Sequence, residues 1–254
     1  MKKAILILVL LAIPVLLTIA GIHLWKQRPW RTAVSVNSRV LTVAELELRA
    51  KTLLEDAKRS EKIIITEKNE AEALKHYRLD AARKWILKEV LLSEAVAQGM
   101  EATISDEKEA LARLAKDLKK HNTTVEDFFR KGPLPEDIKH RDFREIILIQ
   151  KFTTKEVADK ITLKTEEIEA RMVELKKIAL AKTKPNEKPK LRWDRKYAID
   201  QLRAERYNKG FRALFRKLYQ KAIVKSPEYP ILEKLDGVSP PRPEDNEKPA
   251  TASK

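Results

Sequence analysis

The chain has 254 residues, 36% of them charged and 6% aromatic, with five glycines, no cysteine and a formal net charge of +15. That composition suits helices with solvated faces and excludes disulfides, thiolate metal sites and thiol chemistry. Five scattered glycines supply no phosphate-cradling loop, and no serine has nucleophile-elbow surroundings.

Met1-Lys2-Lys3 precedes an uncharged, largely apolar run from Ala4 to Trp25. Its length matches a bilayer core of roughly 30 Å, whereas a signal peptide's apolar core is nearer 7–15 residues. Residues 1–30 are therefore expected to form an uncleaved signal anchor, one transmembrane helix with Trp25 and Trp30 at the far interface. Lys2 and Lys3 fit an inside end, although Lys26, Arg28 and Arg31 place positive charge on the other side. Thr18-Ile19-Ala20 offers a cleavage site, which leaves a removed signal as the alternative.

Ala33 to Leu41, AVSVNSRVL, reads as a β-hairpin turning at Asn37-Ser38. Thr42 and Glu45 have capping-box spacing, so a helix should follow to about Arg59. Ile63-Ile64-Ile65 is an apolar patch in a connection without an assigned element. A long helix is expected from about Glu67 to Gln98, rich in apolar residues from Trp85 to Val96, with Gly99 as a left-handed C-cap. Ser105 is placed as the next N-cap, ahead of Asp106 and Glu107. Thr123 and Glu126 suggest a further capping box before Phe128-Phe129. Gly132-Pro133 breaks the chain, and Pro135 opens a helix with the apolar set Ile138, Phe143, Ile146, Ile147, Ile149, Phe152 and Val157. Thr165 opens the next helix.

TKPNEKPK, residues 183–190, then bridges to a basic helix from about Arg195 to Lys221. Ala222 to Lys225 is expected to be a last strand. Residues 236–254 are proline-rich and polar, the composition of a disordered tail.

The order of these motifs resembles the core domain of SurA-type periplasmic chaperones, a family related to the membrane-anchored PpiD and PrsA proteins. The resemblance is carried by VNSRVLTVAEL (36–46), by KWILKEVLLSEAVAQGMEATISDEKE (84–109), and by the stretches TTVEDFFRKG, FREIILIQKF and ITLKTEEIEARM within 123–172. Ser38 stands where that family usually has glycine. The resemblance implies a mostly α fold: a SurA-like helical core over 31–235, with a small hairpin near its start joined by a C-terminal strand. One transmembrane helix precedes this core. The family inserts parvulin prolyl isomerase domains where this chain has only 183–190, and the parvulin loops and histidines are absent, so the bridge reads as a shortcut within one domain. Ile223-Val224 is expected to pair with the hairpin and cover an edge that could otherwise aggregate.

The implied function is that of an inner-membrane, single-pass holdase with its bulk in the periplasm. It would bind unfolded or extended polypeptides, outer-membrane proteins among them, with no catalytic residue, cofactor or metal. Its client site is expected to be an apolar cleft rimmed by lysine and arginine. Individual client contacts are not readable, and core residues such as Trp85 and Phe143 carry a second reading as cleft lining. A soluble periplasmic form is the alternative location, and an anchored scaffold docking one partner is the alternative function.

Two local patterns carry chemistry of their own. Glu136 and His140 stand at i, i+4, the spacing of paired metal ligands, but a surface ion pair accounts for them more simply. From Lys190 to Lys225 there are twelve basic and three acidic residues. Tyr207, Phe211, Phe215 and Tyr219 recur there every fourth residue and are expected to face the core. An anionic partner would meet the other face through Arg203, Arg206, Lys209, Arg212, Arg216 and Lys217. The anchored topology favours lipid headgroups over nucleic acid there.

Overall fold

The computed structural model describes residues 30–59, 65–66, 68–181 and 193–234. The expected anchor up to Pro29, most of the Ile63–Ile65 patch, the 183–190 bridge and the 236–254 tail lie outside the described residues. The described chain is mostly helical, with a small three-stranded antiparallel sheet. No described helix is long and apolar enough to cross a membrane.

The chain divides into two compact units. The first takes residues up to Ile86 together with Arg130–Ile138 and Ile223–Gly237. In it, strands β1 (Thr32–Val36) and β2 (Arg39–Thr42) form the expected hairpin, and β3 (Val224–Lys225) pairs antiparallel with β1, giving the order β2-β1-β3. Val36 lies opposite Val224 and Ser35 opposite Lys225, so the expected return strand does pair with the hairpin. The β1–β2 register slips by one residue between Thr32 and Val34. This bulge explains why Ala33 and Val34, neighbours that would alternate in a regular strand, are both fully buried.

Helix α1 (Val43–Arg59) starts where expected: the Glu45 N–H donates to Thr42 Oγ1 at 3.2 Å, and the Glu45 carboxylate receives Arg49. Leu46, Ala50 and Leu54, spaced by four, form its buried face. Helix α2 (Glu70–Ala97) begins three residues later than its apolar periodicity suggests. Ahead of it the Thr66 N–H donates to Asn69 Oδ1 at 2.7 Å, and the Thr66 carbonyl accepts from the Asn69 and Glu70 N–H groups at 3.1 and 3.0 Å.

The second unit takes Leu87–Phe129 and Lys139–Ala222 of the described chain. α2 ends in a Schellman motif. Gly99, at φ 68, donates to Val96 O at 2.9 Å, and Met100 donates to Ala95 O at 3.1 Å. Helix α3 (Ile104–Lys119) is capped by Thr103, not Ser105. Thr103 Oγ1 accepts from the Asp106 N–H while the Asp106 carboxylate accepts from the Thr103 N–H. Ser105 lies inside the first turn, so it cannot be the cap. Helix α4 (Val125–Arg130) is likewise capped by Thr124, whose Oγ1 accepts from the Asp127 N–H at 3.0 Å. Thr123 instead donates to the His121 carbonyl.

Helix α5 (Glu136–Glu156) buries Ile147, Leu148, Phe152 and Thr153, leaving Ile146 at 48% exposure on the outer side of the same turn. Helices α6 (Thr165–Ala181) and α7 (Arg195–Lys221) pack together around Ile168, Leu175 and Ala198, with Met172, Trp193 and Leu202 against them.

Candidate functional site

One open cleft of about 610 Å³ lies within the second unit. Its walls come from α3 (Asp106, Glu109, Ala110, Arg113), from α5 (Ile147, Gln150, Lys151, Thr154 among others) and from Tyr207 of α7. Met100, Ala110, Ile147 and Tyr207 give it apolar surface. Arg113, Lys151 and Lys155 also line it. Asp106, Glu109 and Asp159 stand among them, so the lining is of mixed sign.

The α3 wall is held in an unusual way. Its apolar residues Ala110, Leu111, Leu114 and Leu118 recur on one face, yet no residue of the helix is fully buried. Attachment at its first turn is by charge. Lys151 Nζ donates to Asp106 Oδ2 at 2.7 Å and to the Glu101 carbonyl at 3.0 Å, and Arg144 lies 3.1 Å from Glu107. The Lys151 ammonium, with the Thr103 hydroxyl and N–H, lowers the Asp106 pKa from 3.8 to about 2. A helix with few buried contacts is a low-stability element that can yield to what enters beside it.

Charge and ring contacts tie α5 to its neighbours. Lys88 Nζ lies 2.7 Å from Asp142, 2.5 Å from Glu145 and 3.3 Å from the fully buried Glu89, tying α2 to α5. His140 stacks on Phe129 with ring centroids 4.0 Å apart, and Phe143 meets the same ring edge-on. Among the described residues no group of three His, Asp or Glu side chains gathers as a metal site. Trp85 is buried in the first unit, and Phe143 is half-buried beside Phe129; neither lines the cleft.

The six basic residues of α7 do not form one surface. The helix buries two different faces: Ala198 and Leu202 turn towards α6, whereas Phe215, Leu218 and Tyr219 are buried farther along. Leu202 and Leu218 are about 160° apart round the axis at about 100° per residue. Between these halves stands Gly210, where an added Cβ would lie 2.8 Å from Val157 Cγ1. Arg206 serves the α6 contact, donating to Glu167 Oε1 at 2.6 Å and to the Thr162 carbonyl. The Lys164 backbone N–H and the Arg206 guanidinium hold the Glu167 carboxyl below its usual range. Arg203 lies in the first half. Lys209, Arg212, Arg216 and Lys217 share the solvent side of the second, with Arg212 half-buried and the others exposed.

The sequence reading named no residue as a client contact. Thr103–Asp106 and Thr124–Asp127 carry the same T-x-x-D spacing, which would have located both caps. The Lys88 cluster has no sequence signature, because Asp142 and Glu145 lie 54 and 57 residues away. Compared with known proteins, the chain matches no family model and no curated protein sequence.

Proposed function

We propose that this chain is an exported, membrane-anchored holdase of the SurA type that binds unfolded or extended polypeptide without catalysis. The observation that carries the reading is the α3–α5 cleft, whose α3 wall is amphipathic, nowhere fully buried and attached by ion pairs. Such a wall can adapt to apolar side chains of varied size. The unit also exposes Val96, Ile104, Phe128 and Ile146, at 58%, 76%, 43% and 48%. Exposed apolar area is what an unfolded client can recognise. Return of β3 to the hairpin, and the short 183–190 connection in place of an inserted domain, agree with a SurA-like core lacking an isomerase.

The test is light scattering of a denatured outer-membrane barrel protein diluted into buffer with and without the chain, at low and high salt. Suppressed aggregation at both salts is the expected result. Absence of suppression at either salt overturns the reading in favour of an anchored scaffold.

A further inference from the structure

We propose that the solvent face of α7 from Lys209 to Lys221 binds the headgroups of an anionic phospholipid surface. Elsewhere the chain offsets many of its basic side chains within a helical turn: Arg49 with Glu45, Arg113 with Glu109, Lys120 with Asp117, Lys160 with Glu156. From Arg206 to Lys225 there are seven basic residues and no acidic one. Lys209, Arg216 and Lys217 are exposed, as are Ala213 and Gln220 on the same helix, so α7 itself supplies small and polar filler there. The carboxylate that feels this face is Glu156 of α5, held below its usual range chiefly by Lys160 and in smaller part by Lys217. It is not part of the cleft, and the holdase reading leaves it without a task.

The choice of occupant follows from two observations. The aromatic residues of this segment are turned away from the charge: Phe215 and Tyr219 are buried, and Tyr207 and Phe211 stack on each other with centroids 6.1 Å apart. Single-stranded nucleic acid would need such rings exposed as stacking platforms. A headgroup layer needs only charge density, and each lysine or arginine near it strengthens binding by about fivefold. The apolar run Ala4–Trp25, read as an anchor, makes headgroups the polyanion of highest effective concentration around the chain.

The absence of cysteine allows a single label. The full chain carrying Ala213→Cys with an environment-sensitive dye is held in phosphatidylcholine nanodiscs. It is then titrated with vesicles of phosphatidylcholine alone or of equimolar phosphatidylcholine and phosphatidylglycerol. The dye should shift only with the anionic vesicles. Salt should weaken the response, and Lys209→Glu, Arg212→Glu, Arg216→Glu and Lys217→Glu together should lower it on the order of 100-fold or more. Circular dichroism of that variant should match the parent. Equal response to both vesicles, or a response that survives charge reversal, overturns the proposal. A dye shift with duplex DNA but not with phosphatidylglycerol overturns it in favour of nucleic acid.

Discussion

Asn37 and Ile223 close the three-stranded sheet with a reciprocal pair of hydrogen bonds. The Asn37 N–H donates to the Ile223 carbonyl at 2.8 Å, and the Ile223 N–H donates to Asn37 Oδ1 at 3.0 Å. These residues stand 186 apart in the chain, so one turn residue fastens two segments distant in sequence.

Asn37 also holds the left-handed backbone, at φ 53, that the two-residue turn requires. Asn37→Ala should lose both services and destabilise by about 2 kcal/mol. Asn37→Gly keeps the backbone and loses only the side-chain acceptor, so it should cost about 1 kcal/mol. Urea denaturation of the two variants checks the order. A Gly variant as unstable as the Ala variant would show that conformational strain plays no part.

Much of this sheet was legible because turn chemistry is local. Asn-Ser between alternating valines specifies a hairpin, and Gly99 after a long apolar run specifies a helix end. Ala33 was missed because a bulge depends on pairing with β2, which single-strand periodicity does not contain. Ile146 and Val96 looked like core members by composition, but both project away from the buried face of their helices. Glu89 is the reverse case, a carboxylate on an apolar helix whose full burial comes from tertiary packing that no local pattern encodes.

The two helix-associated glycines should respond differently to alanine. Gly99 has open space around its missing Cβ and a positive φ, so Gly99→Ala should cost about 1 kcal/mol through the backbone alone. Gly210 lies inside α7, where alanine would ordinarily favour the helix, but its Cβ would press on Val157 at 2.8 Å. Gly210→Ala should destabilise by about 1–3 kcal/mol, and Val157→Ala in the same chain should recover part of that loss. Thermal unfolding of the single and double variants measures this coupling. Additive losses would remove Val157 as the reason for the glycine.

Lys88 gathers three carboxylates in a site where its own side chain is only 11% exposed. Lys88→Met preserves length and removes the ammonium that Glu89, Asp142 and Glu145 share. A loss of about 3–5 kcal/mol is expected, with little salt dependence because the cluster is shielded. Denaturant midpoints at low and high salt test both statements. A loss below about 1 kcal/mol would place this cluster with ordinary surface pairs.

The attachment of α3 should be sensitive to acid. Asp106 has a folded value of about 2 against an ordinary 3.8, so its contribution is complete above pH 3.8 and disappears as pH falls through about 2. Amide chemical shifts in the first turns of α3 should therefore move with a midpoint near pH 2. Asp106→Asn retains an oxygen for Thr103 but abolishes the charge pairing with Lys151, and its shifts should lack that transition. A transition that persists in the variant would assign it to another carboxylate.

The cleft itself is tested most directly at Ala110, a half-buried small residue on the α3 wall. Arginine there is a good helix former, so Ala110→Arg should preserve α3 while filling the space between α3 and α5. Aggregation suppression should fall several-fold, with the helical circular dichroism signal unchanged. Ala112→Arg, on the exposed side of the same helix, adds the same charge outside the cleft and should leave suppression intact. Equal losses in both variants would mean that added charge, not occupancy of the cleft, disturbs the client. Equal retention would move the client surface away from α3 to the exposed Val96, Ile104, Phe128 and Ile146.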